Sequence, residues 1–100
     1  DNCRDPFYAY GDHDMLDTWR QAVRILHLDH PIADAPGLAG PVPARIMGIN
    51  AGAIGVGRPA DVMLFHAYTL DQVVARPQSD RTLIRAGQWS LRNLPGFQLI

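Results

Sequence analysis

The strongest pattern of apolar positions in this 100-residue chain begins after Asp14, where Met15, Leu16, Trp19, Ala22, Val23 and Leu26 follow the i, i+1, i+4, i+7, i+8, i+11 spacing of one helix face. It predicts an amphipathic α-helix, N-capped by Asp12 or Asp14 and stopped by Pro31, with His27 and His30 near the exposed carbonyls of its end. The thirteen residues before it are rich in Asp, Pro, Gly and aromatics without helical spacing, and read as a loop with a turn at Asp5-Pro6. Residues Asp29 to Gly40 read as a connector with no regular element. A second helix of about two turns follows, with Pro41 or Pro43 in its first turn and Gly48 as a left-handed C-cap.

After Asn50 the punctuation by Gly52, Gly55, Gly57 and Pro59 marks turns, and the apolar run Val62 to Phe65 reads as a buried strand. Thr69 caps a helical turn through Leu70, Val73 and Val74 that ends at Pro77. Thr82 to Arg85 then turns at Ala86-Gly87 into Gln88 to Leu91 as a hairpin. The predicted order is loop, helix, helix, strands, helical turn, hairpin, an α/β arrangement in which residues 1–50 and 51–100 form separate portions. Trp19, Met15, Met47 and Met63 are expected in the core. Burying Met15, Leu16, Trp19 and Leu26 is worth about 1.5 to 3 kcal/mol each, so the helix face is expected to need a partner outside this chain. The absence of an early Met also leads us to expect a piece of a longer protein.

Composition narrows the function classes. With 47% hydrophobic and 19% charged residues the chain is not a disordered tail, and no apolar run approaches the roughly 20 residues of a membrane span. Nine Arg, scattered from Arg4 to Arg92, balance ten Asp to a net charge of -1, so neither nucleic acid nor an anionic membrane is an expected partner. One cysteine rules out an internal disulfide framework and a Cys-rich zinc site, and with no targeting segment the expected location is cytoplasmic.

The densest polar cluster is Asp1, Asn2, Arg4 and Asp5, with Cys3 inside it and Phe7, Tyr8 and Tyr10 beyond. Its carboxylates suit a divalent metal, proton transfer from water, or turn hydrogen bonds, and composition alone favours the turn. His27, Asp29 and His30 are too few for a metal centre and have a sufficient role at a helix end. His13 and His66 read as a helix-flanking and a strand-end residue. Cys3 lacks a paired base and reads as small buried filler. The stretch Ala51 to Gly57 has neither the spacing nor the following helix of a phosphate cradle.

Beyond these local readings, DNCRDPFYAYGDHDML resembles the segment of the amidohydrolase superfamily, in its cytosine deaminase-like branch, that leaves the eighth barrel strand and enters the next helix. PARIMGI resembles the following short helix. GAIGVGRPADVMLFHA resembles the G-x-I-x-x-G-x-x-A-D-hydrophobic signature, and RTLIRAGQWS the closing hairpin. The resemblance implies the C-terminal part of a TIM-barrel enzyme, with the end of strand 8 and the following helices in residues 1–50 and part of a small β-sandwich in residues 51–100.

It further implies that Asp1 binds the catalytic metal, one zinc or iron ion in the whole enzyme, and moves a proton from the attacking water to the leaving nitrogen. That assignment suits a carboxylate at the C-terminal end of a barrel strand. Asn2 matches a position that faces the heterocycle and is often Asp, and Phe7 a pocket-wall aromatic that is often Trp. An amide donates where a carboxylate only accepts, so the departure at Asn2 leaves substrates related to creatinine or triazines open beside cytosine. The implied activity is hydrolysis of a C–N bond in a small cyclic amidine or amide, with the remainder of the barrel as structural partner, a homo-oligomer left open, and the isolated segment inactive. A non-catalytic α+β interaction domain using Phe7, Tyr8, Tyr10 and the helix face is the alternative, and a cysteine enzyme built on Cys3 a distant third.

Overall fold

The computed structural model describes residues 3–91, 93, 94, 96 and 97. Among them are three α-helices, one 3-10 helix and an open three-stranded antiparallel sheet, a small mixed α/β fold.

Helix α1 spans Met15–Ile25. Of the two candidate caps it uses Asp14, whose extended backbone lets Oδ1 accept from the Leu16 N–H at 3.1 Å. The helix stops well before Pro31, which corrects the expected end point. His27 takes a left-handed φ of 55° and the Leu28 N–H returns to the Val23 carbonyl at 3.0 Å, the Schellman closure that satisfies a terminal carbonyl. His27 and His30 therefore lie beyond the helix, and the basic residue of its last turn is Arg24.

The connector is more ordered than its composition indicates: Ile32–Leu38 form a 3-10 helix. Such a helix needs only i to i+3 bonds, such as Asp34 N–H to the Pro31 carbonyl at 3.2 Å, so Pro36 is tolerated inside it. Its anchor is tertiary. The Trp19 Nε1–H donates to the Ala35 carbonyl at 2.8 Å in the buried interior.

Helix α2, Pro41–Met47, has proline in its first turn and ends at Gly48 with φ 69°, as its sequence predicts. The glycine-rich stretch beyond it contains no strand and runs through turns and bends. Gly52, at φ 78°, approaches Gly40 so closely that a Cβ on Gly40 would stand 2.7 Å from the Gly52 carbonyl oxygen. Two glycines thus allow two backbones to touch.

Strand β1 is Val62–Leu64, followed by helix α3 at Leu70–Ala75 and strands β2 at Thr82–Arg85 and β3 at Gln88–Ser90. Thr69 caps α3 by accepting from the Gln72 N–H at 3.3 Å, while the Gln72 side chain accepts from the Tyr68 N–H at 2.7 Å, a reciprocal arrangement close to a capping box. Strand order is β1-β2-β3, with Val62 opposite Ile84 and Ile84 opposite Trp89. Both residues of the β2–β3 turn have positive φ, Ala86 at 51° and Gly87 at 77°, as a type I′ turn requires. Alanine is an unfavoured residue there, and the Ala86 N–H is held by Asp61 Oδ1 at 2.9 Å.

The buried core joins Trp19, Val23, Ala35 and Val73, with Leu16, Leu28, Phe65, Ala67 and Val74 against it, so it draws on residues from both sides of position 50. The α1 face is thereby divided. Trp19 and Val23 are 5% and 2% exposed, whereas Met15, Ile25 and Leu26 remain exposed. Met47 and Met63 are exposed too, so of the four expected core residues only Trp19 is one, because the other three meet no second layer. Strand β1 is likewise not buried: Met63 and Leu64 are open on the two faces of the sheet.

Trp19→Ala removes both a buried ring and the donor to Ala35, and is expected to cost about 3 to 5 kcal/mol. Trp19→Phe keeps most of the ring but removes the buried hydrogen bond to the Ala35 carbonyl, for about 1 kcal/mol. Urea denaturation midpoints of the two variants check this order.

Candidate functional site

The loop before α1 is built by one carboxylate. Asp5 Oδ1 accepts from the Phe7 N–H at 2.8 Å and the Tyr8 N–H at 2.9 Å, so Asp5-Pro6 makes the expected turn with the aspartate side chain standing in for a backbone carbonyl. Tyr8 and Tyr10 meet edge to face with centroids 5.6 Å apart. Cys3 is half-buried rather than enclosed, with Sγ 3.9 Å from Asp5 Oδ2.

Arg4 has a left-handed backbone at φ 57°. Its N–H donates to the Tyr10 carbonyl at 3.0 Å, its Nη2 donates to Asp12 Oδ1 at 3.1 Å, and its guanidinium carbon lies 4.8 Å from the centre of the Phe97 ring. These groups border a cleft of about 490 Å³ whose other walls include Tyr10, Asp14, Asp17 and Pro77.

Two arginines tie α1 to the elements packed beside it. Arg81 Nη2 pairs with Asp14 Oδ2 at 2.8 Å, so one carboxylate caps α1 with one oxygen and ties the β2 approach to it with the other. Arg81 is 7% exposed at its side chain, and its Nε finds no partner among the described residues. Arg20 reaches from α1 to the Val74 carbonyl at 3.0 Å. At that same end of α3 the buried Gln78 amide donates to the Gln72 and Val73 carbonyls at 2.9 and 3.4 Å. Free α3 carbonyls are thus satisfied by side chains.

Of the residues singled out from the sequence, Asp1 and Asn2 lie outside the described residues. Phe7 is 92% exposed and does not line the cleft. Among the described residues no group of three His, Cys, Asp or Glu could hold a metal ion, so the described part of the chain does not by itself fit a metal centre. His30 Nε2 lies 3.6 Å from Asp29 Oδ1 at the surface, and His27 is exposed. The Arg4–Asp12 and Asp14–Arg81 pairs were not visible in advance. Eight residues separate the first pair and 67 the second, and neither spacing belongs to a local motif.

Comparison with known proteins decides the family. Residues 1–89 match the Amidohydrolase family. The chain belongs to that family. It is 50% identical over 99 residues to a protein of Rhizobium rhizogenes (strain K84 / ATCC BAA-868) named pterin deaminase, an alignment covering 98% of this chain and 23% of that relative. The chain therefore spans about a quarter of that relative's length. No solved structure matches.

Family membership gives the Ala60-Asp61-hydrophobic signature a structural reading in this amidohydrolase segment. The Asp61 carboxylate accepts from Ala86 in the hairpin turn and lies 3.9 Å from Arg85 Nε, while the Ala60 carbonyl accepts from the Gly87 N–H at 3.0 Å. Asp61 fastens the closing hairpin to β1.

Asp14→Asn keeps an acceptor for the Leu16 N–H but leaves the buried Arg81 guanidinium without its counter-charge, an expected loss of about 3 kcal/mol. Asp14→Ala also removes the cap, for about 1 kcal/mol more. A double-mutant cycle with Arg81→Met, read by thermal or urea unfolding, separates the two roles.

Proposed function

We propose that this chain is the C-terminal part of a metal-dependent amidohydrolase that deaminates a small nitrogen heterocycle, with pterin the first substrate to test. The observation that carries the reading is the 50% identity, across 98% of the chain, to a protein named pterin deaminase. Pterin presents an exocyclic amino group on a pyrimidine-type ring, a cyclic guanidine closely related to the cyclic amidines that the DNCRDPF segment implies. In this reading residues 1–50 are the last strand-to-helix portion of a TIM barrel, with the end of strand 8 at Asp1, and residues 51–100 are part of a small β-sandwich.

Asp1 is the proposed catalytic residue and the one ligand this segment contributes to a zinc or iron ion. The described residues add no ligand set of their own, so the other ligands belong to the remainder of the barrel chain. The metal supplies Lewis acidity when bound. The Asp1 carboxylate accepts the proton of the attacking water and returns it to the departing nitrogen, a transfer that also suits the loss of ammonia from a tetrahedral carbon. Asn2 offers both a donor and an acceptor to a ring edge, and Phe7 a wall for the ring. The exposure of Phe7 and of the apolar residues Ile46, Ile54, Trp89 and Leu91 supports surfaces covered by the rest of the chain. No helix among the described residues is long and apolar enough to cross a membrane, and we propose a cytoplasmic enzyme; homo-oligomers are compatible with this reading.

The test is ammonia release from pterin, cytosine and creatinine by the whole protein. Pterin is expected to be turned over, and Asp1→Asn to lower kcat by roughly 10²-fold or more at unchanged fold, as loss of a general acid–base group does. The isolated 100-residue segment is expected to be inactive. Turnover by the segment alone, or an undiminished Asp1→Asn enzyme, overturns the reading.

A further inference from the structure

Between helix α3 and strand β2 the chain turns beside a cavity of about 340 Å³, near the small end of the range for ligand pockets. Its walls are His66, Arg76, Pro77, Gln78, Ser79 and Asp80, none of them part of the proposed deaminase chemistry. The turn is held by side chains. The buried Gln78 has a left-handed φ of 56° and ties its amide to the Gln72 and Val73 carbonyls at 2.9 and 3.4 Å. Arg81 collects the carbonyls of the turn: its backbone N–H donates to the Gln78 carbonyl at 3.1 Å, and its Nη1 to the Gln78 and Pro77 carbonyls at 3.3 and 3.5 Å.

In a trans peptide the N–H points opposite to the carbonyl, and the cis bond among the described residues is elsewhere, at His30-Pro31. The N–H groups of Gln78 and Ser79 are therefore turned away from Arg81, which does not line the cavity. The Gln78 N–H meets no backbone carbonyl among the described residues. Successive N–H groups in such a turn form a concavity suited to an anion. The charges beside it are open to a ligand. Arg76, at the C-cap of α3, and His66, beyond β1, make no hydrogen bond or ion pair among the described residues. The last carbonyls of α3, which would repel an anion, are occupied, those of Gln72 and Val73 by Gln78 and that of Val74 by Arg20. Asp80 is the opposing charge on the wall.

We propose that this cavity is an oxyanion site, taking the phosphate or carboxylate group of a small ligand. Arg76 supplies the charge, and His66 and the Gln78 N–H supply further donors. The site stands independently of the deaminase reading, because none of its residues belongs to that chemistry.

The test is calorimetric titration of the whole protein with inorganic phosphate and with acetate at constant ionic strength, with chloride as the control ion. Saturable binding is expected, weakened about tenfold in Arg76→Met through loss of a charge-assisted hydrogen bond. Asp80→Asn is expected to tighten it about twofold to threefold, because a like charge is removed. Both side chains are exposed, so the unfolding midpoints of the two variants without added anion should stay within about 1 °C of the parent. Tighter phosphate than acetate assigns a phosphoryl ligand, and the reverse a carboxylate; either supports the site when it depends on Arg76. Absence of saturable binding by both ions, equal affinity in the parent and Arg76→Met, or weaker binding in Asp80→Asn overturns the proposal.

Discussion

Trp19 has to satisfy two demands at one place: its ring must leave water, and its indole N–H must keep a hydrogen bond when it does. The chain meets the first with Val23, Val73 and the neighbouring apolar groups, and the second with the Ala35 carbonyl at 2.8 Å. This single donor explains why a stretch as rich in proline and glycine as residues 29–40 has one defined conformation, since the 3-10 helix must present that carbonyl inward. With α1 fixed against the connector on one side and against α3 on the other, Arg20 can span to the Val74 carbonyl and Arg81 to Asp14. The loop that precedes α1 inherits its place from the same helix, because Asp14 and Asp12 lie at its entrance.

The elements legible from the chain were those whose signals are local. Asp14 and Thr69 cap the helices that follow them, Gly48 closes α2, and Ala86-Gly87 turns the hairpin, each by a hydrogen bond or a backbone angle set within a few residues. The misses share a different cause. The 3-10 helix depends on a contact sixteen residues away, the end of α1 on a left-handed backbone at His27 that a histidine only rarely takes, and the exposure of Met15, Met47 and Met63 on which surfaces acquire a second layer. Apolar periodicity says which side of a helix prefers burial, not whether anything arrives to bury it.

For the site the balance is different. DNCRDPF and the ordered patterns behind it lead to the amidohydrolase family, and the match over residues 1–89 and the half-identical pterin deaminase agree with that membership. The role of Asp5 in shaping the turn follows from its position before proline and is present in the structure. The Arg4–Asp12 pair and the Phe97 contact were not legible, because charge pairs and cation–ring contacts leave no periodic trace. Family membership alone does not fix the chemistry, and this chain spans about a quarter of the relative's length.

Whether these residues serve a larger metal-dependent hydrolase is decided by measuring intact mass and divalent metal content together on the protein purified from its native source. The expected result is a mass well above 11.0 kDa with about one zinc or iron ion per chain. A chain of 11.0 kDa that carries no metal and still deaminates pterin would contradict it.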